Sequence, residues 1–340
     1  LKKNFGPMVN WSYTGETNTH LHMKLPAYMA NKAKPVATEY KVTSVINNGD
    51  MRISGSPIKL EKMMGEIEFS SDKWIISDSL SAELWNQPFT ARLYRDDQQK
   101  MSFSSALSPQ SLTKFVDFSW QNIISETMLI NGTLYKDPAN RSKTTLEIQS
   151  DMEAVALNLP APVGKSINQS KPLNIKLHFE PSLSQIEGKL GEYLVSDMRF
   201  DQGKLKRGVI SYDHDLLMPD QDMLLISANL PTIDFTLWQP LRDLIEQKPK
   251  AANTTEIIFD LELAQWKVSG LQLSDISARI TPMIYGFDAV FTSDLADGSV
   301  SLFSDTRQPP KIALNRLSLS NNFASNSASL DPRVLIATDF

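Results

Sequence analysis

Between residues 65 and 104 the chain alternates apolar and polar side chains with a period of two. Ile67 and Phe69 alternate with Glu66 and Glu68. Leu80, Ala82 and Leu84 alternate with Ser81 and Glu83, and Phe89, Ala91 and Leu93 with Thr90 and Arg92. In a pleated strand this period sends one set to each side. Between the runs stand Ser70-Ser71-Asp72, Asn86-Gln87-Pro88 and Asp96-Asp97-Gln98, which are turn-forming clusters. The stretch therefore reads as a meander of antiparallel strands with one apolar face.

A second copy of the plan occupies residues 260–304. Leu261 and Leu263 stand for Ile67 and Phe69, and Trp266 with Ser269 for Trp74 with Ser77. Ile276 to Ala278 stands for Leu80 to Ala82, and Phe287 to Ala289 for Phe89 to Ala91, with Ile280 and Phe291 continuing the apolar register. The Trp-to-Ala spacing is 8 residues in the first copy and 12 in the second, which reads as a longer strand or an inserted turn. In each copy the apolar set is expected on one surface. Glu66, Glu68, Glu83, Arg92, Arg279 and Asp288 are expected on the other, because a slip of one residue would bury the charges.

The remaining chain continues the texture. Strands are expected at 13–25, 40–46 and 51–54, the last two joined by a hairpin turn at Asn47-Asn48-Gly49-Asp50. Ser108 can cap and Pro109 suits the first position of a short helix over 109–118. Further strands are expected at 127–135, 144–150, 154–159, 173–179, 185–190, 193–200, 204–212, 222–229 and 311–320. A loop at 160–166 and a second short helix at 237–247 interrupt them. With 20 or so short strands, an open sheet must curl or split. The expected fold is mainly β: a long, curled, taco-like antiparallel β-sheet groove of repeating meanders with two or three short helices. It is expected as one elongated segment, 1–340, of a longer protein. A closed sandwich or a barrel would satisfy the same alternation.

Composition removes several functions. The chain has 340 residues and no cysteine, so it holds no disulfide and no thiolate metal site. Its net charge is −5 and no basic stripe occurs, which argues against nucleic acid. The apolar runs, such as Met223 to Ile226, fall far short of the ~20 residues that span a bilayer. Gly164-Lys165-Ser166 resembles the end of a phosphate loop, but position 159, where a glycine is needed, is Leu159. His20 and His22 share a strand face without a third ligand. Asp213, His214, Asp215, Asp220 and Asp222 lack the spacing and glycine of a calcium loop. No Gly-x-Ser-x-Gly elbow occurs. Trp74, Trp85 and Trp266 read as packing residues rather than sugar platforms. Phe340 imitates the last residue of outer-membrane barrels, but 14 Gly and 8 Tyr are few for one. No catalytic residue, cofactor or metal is indicated, and the chain reads as a non-enzyme.

Several stretches resemble the large AsmA-like proteins of the Gram-negative envelope, and most closely the YhdP branch. They are LNLPAPVGKSINQSKPLNIKLHF from residue 157, LPTIDFTLWQPL from residue 230 and LDPRVLIATDF from residue 330, the last with Ile336 where the family pattern has Pro. The resemblance implies a periplasmic segment of a protein anchored in the inner membrane through a part outside this chain. It implies phospholipid acyl chains as the cargo, further partners in the periplasm or outer membrane, and no catalytic residues. The implied lipid lining is the apolar set of both copies: Ile67, Phe69, Leu80, Ala82, Leu84, Phe89, Ala91 and Leu93, then Leu261, Leu263, Ile276, Ala278, Ile280, Phe287, Ala289 and Phe291. The alternative is a structural or adhesive β-repeat module that packs the same face into a closed sandwich core and binds protein or glycan.

Overall fold

Period-two alternation becomes long strands in the computed structural model, which describes residues 11–25, 39–53, 57–71, 74–114, 120–136, 143–180, 183–232, 255–268, 271–283, 286–303, 308–309 and 311–318. The chain divides into two compact units, residues 1–181 and 182–340. In the first unit the strands are β1 (Trp11–Lys24), β2 (Glu39–Ile53), β3 (Lys59–Ser70), β4 (Trp74–Leu84), β5 (Gln87–Arg95), β6 (Gln99–Leu107), β7 (Met128–Lys136), β8 (Thr144–Ser150) and β9 (Leu173–Phe179). Each pairs antiparallel with the next.

The second unit holds β10 (Leu183–Leu190), β11 (Leu194–Asp201), β12 (Lys204–Tyr212), β13 (Met223–Thr232), β14 (Glu256–Val268), β15 (Leu271–Met283), β16 (Gly286–Thr292), β17 (Ala296–Phe303) and β18 (Lys311–Leu317). Here the expected antiparallel order is broken twice: β12, β13 and β14 run parallel. Alternation reports which side a residue faces, not which way its neighbour runs. Direction follows from the connection, and parallel strands need a crossover rather than a tight turn. Residues 213–222 provide the first one, and ten residues reach ~33 Å, ample to return along a five-residue ladder. Ser211 Oγ donates to the carbonyl of His214 in this connection at 2.7 Å. Val209 and Ser211, on the face away from the apolar side of β12, are fully buried. The acidic cluster at 213–222 is thus part of a crossover, and no group of three metal-ligating side chains occurs among the described residues.

Other expectations change in detail. Asn47 to Asp50 does not turn the chain: β2 runs through it as a single strand paired with both β1 and β3. Asn48 takes a left-handed conformation, φ 55°, and both ladders shift register there. The same αL residue that favours a hairpin also makes a bulge. Tyr13 lies over Gly49 so closely that a Cβ there would strike its ring. The helix at Ser108-Pro109 is a single turn, α1 (Pro109–Leu112), with the Ser111 N–H donating to Ser108 Oγ at 3.2 Å. The helix expected at 237–247 lies outside the described residues. The two meanders at β3–β6 and β14–β17 share a topology but not a register. Ala82 faces Phe89, whereas Ala278 faces Phe291 rather than Phe287. Trp74 opens β4, while Trp266 sits near the end of β14.

Residues 154–159 form no strand. Leu157 instead bridges Ile124 on one side and Lys165 on the other. The Asn158 N–H donates to Ile123 O at 2.8 Å, and the Ser125 N–H to Ala156 O at 3.2 Å. This knits 120–126 to 151–172 over the buried side chains of Ile124, Met152, Val155 and Leu157. Gly164 is required, since a Cβ would collide with the Leu159 carbonyl. Lys165 is buried, and its ammonium donates to the carbonyls of Val155 and Ser166. The Lys171 ammonium donates to Pro162 O and Val163 O at 3.1 and 2.7 Å. Burial lowers the pKa of both amines. The Gly-Lys-Ser sequence is therefore a lysine-stapled loop whose amine is already spent on backbone carbonyls. An amine-acylating reagent should modify Lys165 at least ~tenfold more slowly than exposed Lys24 and Lys62, because it reacts only on local opening. Peptide mapping of a labelling time course measures this, and equal rates would mean the cap does not form.

Candidate functional site

The alternating residues of neighbouring strands meet in register and build continuous apolar rows. In the first unit one row runs Ile46, Gly65, Leu80, Ala91, Phe103, Gly132, Ile148, Ile175 from β2 to β9. The next runs Ser77, Leu93, Met101, Leu134, Leu146, Leu177 from β4 to β9. A bulge at Asp78–Ser79 keeps Ser77 and Leu80 on the same side while both bulged residues stay exposed. Leu80, Leu84, Phe89, Ala91 and Leu93 form one buried cluster with Ile46, Leu60 and Met63, and Ile67 and Ala82 pack against it. Phe69 stands opposite Ile75, which packs there too. The Phe89 and Phe103 rings stack, with centroids 5.5 Å apart.

The second unit repeats the arrangement over nine strands. Its longest row is Leu190, Leu194, Tyr212, Ala228, Leu261, Ala278, Phe291, Gly298, Leu314. Beside it run Ile210, Ile226, Phe259, Ile280, Ala289, Val300 and Ile312. Leu263 pairs with Ile276, and Phe287 with Pro282. Within each unit the residues expected to share an apolar face do so.

Burial along these faces is uneven. Leu80, Leu84, Phe89, Ala91, Leu93, Leu261, Leu263 and Ile276 are buried. Ile67, Phe69, Ala82, Ala278, Ile280, Phe287, Ala289 and Phe291 are only half-buried. The rows continue through Met101, Phe103, Leu134, Leu146, Ile148, Ile175 and Leu177, all half-buried too. These seven were not singled out in the sequence, although 127–135, 144–150 and 173–179 read as strands. The signal that finds them is register: extending each row from Ala91 and Leu93 through the meander reaches them in turn.

The opposite faces carry the charges in cross-strand pairs. Lys41 meets Glu68 at 2.8 Å and Lys62 meets Glu83 at 2.8 Å. Arg279 grips Asp260 through Nη2 and Nε at 2.5 and 3.3 Å, which raises the Arg279 pKa. Arg316 grips Asp297 at 2.7 and 2.8 Å, and these hydrogen bonds hold the Asp297 carboxyl below its ordinary value against the opposing effect of burial. His20 and His22 sit on exposed β1.

A family model for the YhdP protein matches residues 6–340. This chain belongs to the YhdP family. Membership implies bridge-like lipid transport in the envelope, and the family is not known for enzymatic activity. No curated protein and no solved structure matches the chain. No helix among the described residues is long and apolar enough to cross a membrane. In this YhdP-family chain the continuous apolar rows lie on one face of each unit's strands.

Two outcomes are expected from these contacts. Gly132 lies beneath the Phe103 ring, so that a Cβ at 132 would collide with it. Gly132→Ala should therefore cost about 1–3 kcal/mol in denaturant unfolding, as overpacking does, and Gly132→Ala with Phe103→Leu should recover most of it. Asp297, with a folded pKa below its unfolded value near 4, contributes stability above that pH and loses it as pH falls through the folded value. The melting-temperature gap between wild type and Arg316→Gln should thus be widest above about pH 5 and narrow on acidification towards pH 3.

Proposed function

We propose that the apolar face of each unit is a lipid-conducting surface. Residues 1–340 would then be an elongated groove segment of a longer periplasmic protein that carries phospholipids between inner and outer membrane. The observation that carries this reading is the half-buried state of the rows. A close-packed core seals its side chains, whereas Ile148, Ile175 and Leu177, together with half of the sixteen lining positions, remain reachable. Family membership supports the same reading.

The energetics favour such a surface. Taking one acyl chain of ~16 carbons through water costs on the order of 12 kcal/mol at ~0.8 kcal/mol per CH₂. A row of aliphatic and aromatic side chains removes that cost at each step. It needs no residue-level specificity, in keeping with the absence of sharp motifs.

Three measurements test the proposal. Native mass spectrometry of the chain purified from envelope extracts should show bound phospholipid, and repeated lipid-free preparations would count against it. Small-angle scattering should give a radius of gyration well above the ~20 Å of a compact 340-residue globule. Ala82→Asp and Ala278→Asp should each block lipid transfer while leaving circular dichroism largely intact. An open face lets the carboxylate keep water, whereas in a sealed core an unpaired charge costs several kcal/mol. Loss of fold together with transfer would indicate the closed sandwich.

A further inference from the structure

The first unit has a second concavity, on the face turned away from the apolar rows. A depression of about 390 Å³ lies over β4–β8, within the ~300–1,000 Å³ of small-ligand sites. Its floor is the cross-strand row Thr90, Ser104, Asn131, Gln149, beside the row Arg92, Ser102, Thr133, Glu147. Ser104 Oγ donates to Asn131 Oδ1 at 2.6 Å, which leaves the Asn131 amide N–H groups free. The side chains of Thr90, Ser102, Thr133 and Gln149 make no hydrogen bond to another described residue. Hydroxyls and amides therefore line the hollow with both donors and acceptors unspent.

The charges around this floor are matched. Arg92 faces Asp78 at 3.8 Å. Glu147 accepts from Tyr135 Oη at 2.9 Å and pairs with Lys176 at 3.1 Å. Two cations against two carboxylates leave no net charge to attract an anion or a cation. The floor also carries no large apolar side chain of the kind that anchors a protein partner. What remains is a concave array of neutral groups that can both donate and accept, and sugar hydroxyls do the same.

We propose that this depression binds a neutral oligosaccharide. The site is separate from the apolar face, so it stands or falls independently of lipid conduction. Saturation-transfer NMR and titration calorimetry on the full chain, with chitotetraose, maltotetraose and cellotetraose as probes, test it. Saturable binding of at least one is expected. Thr90→Val with Gln149→Ala, both exposed positions, should weaken it by ~tenfold or more, as loss of two hydrogen bonds predicts. The melting temperature and the bound phospholipid should not change. Absence of transfer to all three sugars, or undiminished binding by the double variant, would overturn the proposal. So would preferential binding of inorganic phosphate or of a charged peptide at the same residues.

Discussion

Everything in this chain rests on the pleat: neighbouring residues on a strand cannot share a side, and neighbouring strands must agree on which side is apolar. Backbone ladders impose that agreement by fixing Leu80 opposite Ala91, Ala91 opposite Phe103, and so on across the unit. The hydrogen bonds carry no preference for apolar over polar. They transmit the parity chosen by a few well-buried residues to every later strand, and a slip anywhere would turn Arg92 or Glu66 inward. Bulges are where the chain corrects its parity. The pair Asp78–Ser79 holds β4 in phase with β5, and Asn48 does the same for β2 between two partners.

That dependence sets what could be read from the sequence. Sidedness is a local property, so the positions of both apolar sets, the strands at 144–150, 173–179 and 204–212, and the Ser108 cap were legible. Direction and register are not local. Nothing in residues 204–232 distinguishes a hairpin from a crossover except the length of the polar stretch after Tyr212. The match of Phe287 with Phe89 followed residue type, whereas pairing places Phe291 opposite Ala278. Residues 154–159 alternate like a strand, but a staple of carbonyl-bound lysines holds them as a loop. The Asn-Gly at 48–49 carries a left-handed residue in either use, and only the partners on both sides decide for a bulge.

The crossover region shows what closure of both faces looks like in the same molecule. Val209 and Ser211 of β12 are fully buried on one side, while Gly208 of β12 and Ala228 of β13 are buried on the apolar side. Parallel strands are ordinarily covered on both faces, and this patch conforms. Away from it, Leu134, Leu146 and Leu177 along the row of β7 to β9, and Ala278, Ile280, Ala289 and Phe291 in β15 and β16, stay half-exposed. The contrast lies within one chain and one composition, so it reflects architecture rather than a general shortage of hydrophobic cover.

A half-exposed apolar face is an aggregation hazard unless something occupies it. The chain answers this on the other face, where ion pairs such as Lys41–Glu68, Lys62–Glu83 and Arg279–Asp260 cross the strands. Exposed pairs of this kind add little stability. Their value is that they tie charge to one parity, so that every alternative register exposes apolar rows to water and buries ions at once. A sheet that keeps one face apolar therefore also keeps a polar face dense in matched charges and hydroxyls. In β5 to β8 that polar face is concave. The same period of two that aligns an apolar row on one side leaves Thr90, Asn131 and Gln149 aligned on the other, so a substitution on either side need not disturb its counterpart.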